Sequence, residues 1–447
     1  GLEFVNVDGR GRRQYSTPLN NWAPRFGFAY QISTNTVLRG GYGLFYAPSL
    51  RAAAGTVSDV GYRSDTTYAA TLNGVTPNTY LNDPFPNGFA PVSGNTLGLL
   101  TGIGSPIEAE LLGDNVTPYS QNWNFNIQRQ LPGSVLVEAA YVGSRGLHLN
   151  QSGETDYNLN QLTPQTLALG SQLQQLVPNP FYGLITTGPL AAQTTQRGNL
   201  LRPFPQYVSV TGMYLTGSSS IYHSFQMKVQ KRFSSGLSLL MSFTGGKLID
   251  DHAMISNVGR DVSMQNIYDR RSERGVSPQD VSKILVLSYV YEIPLGKGKR
   301  FGANWSRAAN AVLGGWQMNG ICTFQTGQPL TITTQNTSNS GSTTLRPSNN
   351  GQSAAASGAI ESRLGEYFDT SVFSQPAPFT FGTTGRTLPD VRGPGVDNLD
   401  FSLFKTFKPT ERMAVQFRAE AFNLLNKPQF GFPNQNLSSG QFGVVSS

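Results

Sequence analysis

Residues 122–128 read Asn122-Trp123-Asn124-Phe125-Asn126-Ile127-Gln128, with polar and apolar side chains in strict alternation. Side chains of a β-strand point to opposite faces with a period of two residues, so this stretch predicts a strand with one apolar and one polar, uncharged face. The same period recurs in residues 223–233 and 413–421. Many such strands, joined by turns of alternating length, predict a β-barrel with an apolar exterior and a water-filled interior.

The alternation assigns strand residues to two faces of the predicted wall. The apolar residues predicted to face lipid are Trp123, Phe125, Ile127, Phe225, Met227, Val229, Val415 and Phe417. The polar residues predicted to line the lumen are Asn122, Asn124, Asn126, Gln128, Gln226, Gln230, Gln416, Arg418 and Glu420. Polar groups in a lumen stay hydrated and can hydrogen-bond a passing solute. The alternative is that these residues only form the hydrated face of the barrel wall and have no binding role.

Strands are predicted across most of the chain. The candidates cover residues 22–32, 36–46, 120–131, 134–147, 207–216, 223–233, 237–249, 282–293, 316–332, 398–407 and 413–425. Several contain 10 to 14 residues. A tilted strand needs about 9–11 residues to cross the hydrocarbon core of a bilayer, whereas strands in soluble sheets have about five or six. Strand length therefore favours a transmembrane barrel.

The segments between these strands fall into two classes. Those at 131–134, 234–236 and 408–412 are hairpin-sized, whereas 47–118, 250–281 and 333–397 are long and rich in Gly, Pro, Ser, Thr and Asn. Short periplasmic turns and long outer loops are typical of outer-membrane barrels. The alternation of the two classes requires one more strand between residues 147 and 207, which we expect at 157–162. Residues 164–177 are expected to contain a short helix.

Composition supports a sheet and excludes several other classes. Only 13% of the 447 residues are charged, against roughly 25% in soluble domains, and the chain contains 49 Gly, 26 Phe and 18 Tyr. Basic clusters at 10–13 and 297–300 lie in glycine-punctuated turns without an aromatic platform, so we expect solvated turn charges and no nucleic-acid partner. No apolar run approaches the roughly 18 residues that a membrane helix needs. The single cysteine, Cys322, excludes an intrachain disulfide and a cysteine-cluster metal site.

Catalytic motifs are missing from the sequence. It contains no zinc-binding His-Glu-x-x-His helix, no Gly-x-Ser-x-Gly elbow and no phosphate-binding loop. The one tight cluster of acid and imidazole, Asp250-Asp251-His252, is expected to be a solvated loop start and not a metal site. The mixed-charge run 269–274 is expected to form surface ion pairs. We therefore expect neither enzymatic activity nor a cofactor or metal.

Ordered blocks along the chain resemble the barrel of TonB-dependent outer-membrane receptors, most closely the subgroup with an N-terminal carboxypeptidase-regulatory-like domain. They are residues 24–30 (PRFGFAY), 38–46 (LRGGYGLFY), 140–146 (AYVGSRG), 230–233 (QKRF), 287–294 (LSYVYEIP), 314–320 (GGWQMNG) and 417–426 (FRAEAFNLLN). The resemblance implies a location in the bacterial outer membrane, contact with its lipid, an internal plug domain and a TonB partner. It also implies a barrel of about 22 strands.

The chain departs from this family pattern in its extent. We count about 12–14 strands, find no signal peptide or initiator Met, and see no aromatic-ended closing strand after Phe442. The expectation is therefore an all-β, antiparallel, partial transmembrane barrel, in which residues 1–447 form a single barrel-domain fragment without the plug and the N-terminal domains.

The pattern and the resemblance suggest three candidate functions, of which the first is the one expected here. The first is a TonB-dependent receptor that takes up an oligosaccharide, a peptide or a metal chelate. The second is a passive porin-like or adhesive outer-membrane barrel without energy coupling. The third, a soluble all-β binding protein, requires regular repeats and a charged surface, and the sequence has neither.

Overall fold

The protein is built around one large antiparallel sheet. The computed structural model describes residues 2–12, 18–47, 60–66, 68–110, 116–150, 158–186, 188–213, 215–252, 264–410 and 412–446. The ten long strands of the sheet are β1 (Arg25–Ser33), β2 (Thr36–Tyr46), β3 (Tyr119–Leu131), β4 (Val135–Asn150), β5 (Thr216–Ser234), β6 (Leu237–Asp250), β7 (Lys283–Glu292), β8 (Trp316–Gln325), β9 (Val396–Thr410) and β10 (Met413–Ala421). Each strand pairs antiparallel with the next one in the chain.

This meander confirms the predicted all-β antiparallel wall. Within the described residues, β1 pairs only with β2 and β10 only with β9, so the sheet is open and forms part of a barrel. A two-residue strand, Gly275–Val276, adds to the end of β6 outside the meander. The strands of 9 to 19 residues match the length that a membrane crossing requires.

Connections alternate between the two ends of the sheet, as predicted. Two to three residues join β1 to β2, β3 to β4, β5 to β6 and β9 to β10, and a longer turn at 293–315 joins β7 to β8. These connections define the short-turn end. The loops at 47–118, 151–215, 251–282 and 326–395 lie at the opposite, long-loop end.

Two of the predicted strands do not belong to the wall, and without both of them the short and long connections still alternate. In the region of the predicted strand 207–216, Ser209–Met213 pairs in parallel with Pro106–Glu110 in a separate small sheet. Its Val210 is buried in a local core with Ile107 and Tyr207. In the described part of the predicted strand 157–162, Asn158 makes one isolated bridge. In the described part of the chain the long strands therefore number ten, fewer than predicted.

The predicted strand 316–332 also ends early, at Gln325. Its last apolar residues, Leu330 and Ile332, are fully buried in a cluster at the long-loop end and do not continue the wall. This cluster includes Phe368 and Phe373 of the same loop and receives Phe442 from the segment that follows β10. The ring centroids of Phe368 and Phe442 are 5.2 Å apart, with the planes at 76°. We call residues 264–282, 326–395 and 422–446 the loop assembly.

Helices are few and short. The expected helix within 164–177 is confirmed as α1 (Pro164–Leu167), which Thr163 caps by accepting a hydrogen bond from the Thr166 amide. It is followed by α2 (Arg197–Leu200) and α3 (Arg307–Leu313), the latter in the turn between β7 and β8. No helix in the described part of the chain has the length and apolar character needed to cross a membrane.

Candidate functional site: the two faces of the wall and the loop assembly

Strand register decides which residues share a face of the sheet. Residues paired across an antiparallel ladder point to the same side. One row runs from Ile127 through Ala139 and Met227 to Phe243. Another row on the same side ends with Lys405 opposite Phe417. Followed across all ten strands, the register places the eight predicted lipid-facing residues on one face, the apolar face, and the nine predicted lumen residues on the other, the polar face.

The apolar face has little protein cover. Phe125, Phe225 and Phe417 are each about half exposed, at 49%, 50% and 50%. Large apolar side chains left this open over a whole sheet mark a surface that contacts something other than water. The assignment of this face to lipid, and of the polar face to the lumen, stays a prediction.

Aromatic side chains form a row on the apolar face near the middle of β3, β4 and β5. The Trp123 indole donates a hydrogen bond to the Tyr141 hydroxyl at 3.4 Å. That hydroxyl lies 2.6 Å from Nδ1 of His223, and the tautomer of the imidazole decides which group donates. The Trp123 ring lies over Gly143, where a Cβ atom would overlap it. These hydrogen bonds pair the polar atoms of the three rings with one another on an otherwise apolar surface.

On the polar face, several of the predicted lumen residues bond to one another. The Arg418 guanidinium donates to the Gln416 side-chain carbonyl at 2.6 Å and lies 5.0 Å from the Phe404 ring centroid. Gln416 in turn donates to the Thr406 hydroxyl at 3.3 Å. This arrangement holds a cation and amide groups in fixed positions at the edge strand β10.

A cavity of about 390 Å³ opens on the polar face between β6 and β10. Its wall includes Ser288, Asn319, Asp400, Ser402 and Glu420. The Asn319 side-chain amide donates to the Ser402 hydroxyl at 3.3 Å, and one Asp400 carboxylate oxygen accepts from the Asn398 side chain and the Asn423 amide at 3.0 and 2.9 Å. Volumes of roughly 300–1,000 Å³ suit small molecules. The hydroxyl, amide and carboxylate groups here suit a polar solute or a peptide backbone.

Only Glu420 among the nine predicted lumen residues lies in the wall of this cavity. Asp400 and Ser402 belong to the run 398–403, in which Asn398, Asp400 and Ser402 alternate with Leu399, Phe401 and Leu403. The period-two signal that identified β3 was therefore present in β9 and would have identified these residues as well.

Three arginines of the β8–β9 loop bind acidic residues at the β6–β7 connection. The Arg346 guanidinium forms a bidentate ion pair with the Glu273 carboxylate, in which Nη1 lies 2.6 Å from Oε2 and Nη2 lies 3.0 Å from Oε1. Both side chains are almost fully buried. Arg386 pairs with Asp250 and also donates to the Glu273 backbone carbonyl at 2.8 Å. We call the three ion pairs Arg346–Glu273, Arg386–Asp250 and Arg392–Asp280 the arginine clamp.

The third pair of the clamp joins Arg392 to Asp280 at 2.5 Å. The same Asp280 carboxylate accepts the Leu248 amide of β6 at 2.6 Å, and Arg392 also donates to the Gly327 carbonyl at 3.1 Å. Asp280 thus joins a wall strand to the loop assembly.

Burial changes the titration of these groups. Loss of hydration raises the pKa of Glu273 above its usual range, and the Arg346 charge offsets only part of this shift. Burial also lowers the pKa of Arg386 to about 10. The desolvation of such pairs can exceed their mutual attraction, so we interpret the clamp as fixing loop geometry more than adding stability.

The clamp overturns two expectations from the sequence. The run 269–274 does not pair only at the surface, because Glu273 is completely buried. The Asp250-Asp251-His252 stretch is not a solvated loop start, since Asp250 and His252 are 5% and 8% exposed and Asp251 accepts hydrogen bonds from the Ser219 amide and hydroxyl. Their partners lie far away in the chain, where no local pattern reveals them. Within the described ranges, no three His, Cys, Asp or Glu side chains are grouped to hold a metal ion.

Residues 1–447 match the family model of the outer membrane beta barrel domain. The chain therefore belongs to the outer membrane beta barrel domain family, and the protein resides in the bacterial outer membrane. This confirms the class of barrel and the location that the alternating strands predict. No curated protein matches the sequence.

Several solved structures are similar to this chain. They include the outer membrane transporter YddB from Escherichia coli, at 10% identity and a TM-score of 0.43, covering 95% of this chain and 38% of that one. The ferric-catecholate import receptor Fiu from K12 E. coli has 8% identity and a TM-score of 0.37, with coverages of 94% and 32%. The ferripyoverdine receptor of Pseudomonas aeruginosa has 10% identity and a TM-score of 0.35, with coverages of 95% and 31%. The chain thus spans less than two fifths of each of these structures.

Proposed function

We propose that this chain forms part of the barrel wall of a TonB-dependent outer-membrane receptor that takes up an oligosaccharide, a peptide or a metal chelate. The apolar face contacts lipid and the polar face lines the lumen, where its amides and the 390 Å³ cavity meet the plug domain or the solute. The plug and TonB are partners of the whole receptor. The chain itself catalyses no reaction in this proposal. The family resemblance of the ordered sequence blocks supports the receptor class and its regulatory-domain subgroup.

The observation that carries the proposal is the closely packed loop assembly at the long-loop end of a two-faced wall. A passive pore needs only a wet lumen, whereas a receptor must hold its binding groups in fixed positions. The arginine clamp and the cluster around Phe368 hold the loop assembly together with buried contacts. A passive pore does not require this arrangement, whereas an adhesive barrel differs from the receptor in lacking energy coupling.

Energy coupling decides between the two classes. Cells that produce the complete receptor are offered labelled maltooligosaccharides, oligopeptides and ferric siderophores, with and without a functional TonB. We expect accumulation of one of these solute classes, and its loss when TonB is absent. Uptake that persists without TonB, or follows concentration alone, would assign the barrel to the passive class.

Facing is tested separately in the same receptor. In a Cys322→Ser background, Asn126→Cys and Ile127→Cys place neighbouring thiols on opposite faces of β3. A membrane-impermeant maleimide is expected to reach residue 126 through the water-filled lumen and to leave residue 127 unmodified. The reverse labelling pattern would show that the two faces are assigned the wrong way round.

A further inference from the structure

The turn between β7 and β8 is unlike the other connections at the short-turn end. It spans residues 293–315 and contains α3, whereas the others have two or three residues. The segment carries Lys297, Lys299, Arg300 and Arg307 and no Asp or Glu. Lys299 pairs with Glu292 of β7 at 2.6 Å, which leaves three exposed cations without an acidic neighbour inside the segment.

The apolar side chains of this turn are also left open. Phe301, Val312 and Leu313 are 54%, 66% and 51% exposed. The Arg300 guanidinium lies 5.4 Å from the centroid of the Phe301 ring. Exposed apolar groups beside clustered cations are the composition of a segment that lies in a membrane interface.

Hydrogen bonds fix the turn to one side of the sheet. The Val312 carbonyl, at the end of α3, accepts from the Trp316 indole and from the Lys405 ammonium, both at 2.9 Å. Trp316 and Lys405 are register partners on the apolar face, and Lys405 also lies opposite Phe417 there. The end of α3 therefore continues the apolar face at the short-turn end of the wall.

Hydrogen bonds within the turn connect its helix to its basic stretch. Ser306 caps α3 by accepting a hydrogen bond from the Ala309 amide at 3.1 Å. The Asn310 side-chain carbonyl accepts the Lys297 amide at 2.7 Å, which ties the basic stretch to the helix. The cations and the apolar residues thus keep a fixed spacing.

We propose that the turn 293–315 docks on anionic phospholipid headgroups of the periplasmic leaflet. This inference rests on the proposed lipid contact of the apolar face. Lys297, Arg300 and Arg307 attract the headgroup phosphates, while Phe301, Val312 and Leu313 enter the acyl boundary. Each basic residue near an anionic membrane surface strengthens the association by about five-fold. The turn is then a fixed anchor that sets the height of the wall in the bilayer.

The test uses the receptor in phosphatidylcholine vesicles that contain phosphatidylglycerol. A fluorophore is attached at Asn304→Cys in the Cys322→Ser background, and quenching is compared between nitroxide-headgroup phosphatidylglycerol and the matching phosphatidylcholine at equal fractions. We expect several-fold stronger quenching by phosphatidylglycerol, and a weaker preference at high salt because the charges are screened. This comparison of the two lipids is made with all four basic residues of the turn in place.

A charge-removal variant sharpens the test. Lys297→Gln with Arg300→Gln and Arg307→Gln is expected to abolish the preference for phosphatidylglycerol. The control, Arg63→Gln with Arg271→Gln and Lys427→Gln, removes the same charge from exposed residues at the long-loop end and is expected to keep the preference. Equal quenching by the two lipids in the unaltered turn would overturn the proposal.

Native Cys322 separates failure of the anchor from failure of the wall. It lies on the apolar face of β8, opposite Leu287 and Leu399. A fluorophore on this thiol is expected to be quenched by lipid with a nitroxide in the acyl chain. Quenching at 322 without any at 304 would refute the anchor alone, and no quenching at 322 would refute the lipid contact of the wall and with it the proposed function.

Discussion

Single residues of the arginine clamp have a large effect on the stability of the long-loop end. Glu273 is enclosed by the Arg346 side chain and by the Arg386 bond to its backbone carbonyl. Neither partner can be removed without leaving a buried charge, because the pair is almost completely shielded from water. The cost of such a pair is asymmetric: losing one charge is worse than losing both.

Arg346→Met is therefore expected to lower the free energy of unfolding by about 3–5 kcal/mol, since it leaves the Glu273 carboxylate buried and unpaired. The double variant Arg346→Met with Glu273→Leu should recover much of this loss. A urea titration, in which protease cleavage at the long-loop end reports unfolding, measures the free energy of unfolding of the single and the double variant. The exposed pair of Arg63 and Asp65 is the control, because Arg63→Gln should change stability by less than about 1 kcal/mol. Additive effects in the double variant would contradict this reading of the clamp.

Gly143 is a second sensitive residue, because the Trp123 ring occupies the space of a side chain there. Gly143→Ala is expected to cost about 1–3 kcal/mol, since the ring must leave its position over the strand. Refolding into vesicles measures the change. Gly41→Ala on β2, where a Cβ atom makes only ordinary contacts, is the matched control. The added substitution Trp123→Leu should relieve the Gly143→Ala defect; if it does not, the crowding has another cause.

At the scale of elements, alternation predicted the wall wherever one face is apolar. It identified β3, β5 and β10 because their apolar and polar residues lie on opposite faces of the sheet. The same signal failed at Ser209–Met213, since a short strand over a small local core also alternates. The first residues of β5, Thr216 to Ser220, lack apolar residues and become strand only by pairing with β4 and β6. The strand conformation of these residues therefore depends on pairing with neighbouring strands, which the local sequence pattern does not predict.

The facing of β5 gives a prediction at this scale. Met227→Arg is expected to destabilise the folded barrel by about 2–4 kcal/mol, because a charge near the bilayer midplane is costly. Gln226→Arg, the adjacent residue on the polar face, should change stability little, since its side chain reaches water. Refolding equilibria in lipid vesicles compare the two variants. A larger defect for Gln226→Arg would invert the assignment of the faces.

For the whole molecule, the sequence predicted the wall far better than the site above it. The wall depends on neighbouring strands, which follow each other in the chain and leave a local period of two. The loop assembly depends on contacts such as Arg386 with Asp250 and Phe368 with Phe442, which join segments far apart. A mixed-charge run has the same composition whether it is solvated or buried. Only the fold distinguishes the two cases.

Chain order gives the arginine clamp a consequence for biogenesis. In all three pairs the acid precedes the arginine: Asp250, Glu273 and Asp280 come first, and Arg346, Arg386 and Arg392 follow. A polypeptide exported from its N-terminus presents the carboxylates before any cation that can neutralise them. The clamp cannot close until residue 392 has crossed. The long-loop end therefore becomes fixed late in assembly, after eight wall strands are already available to pair.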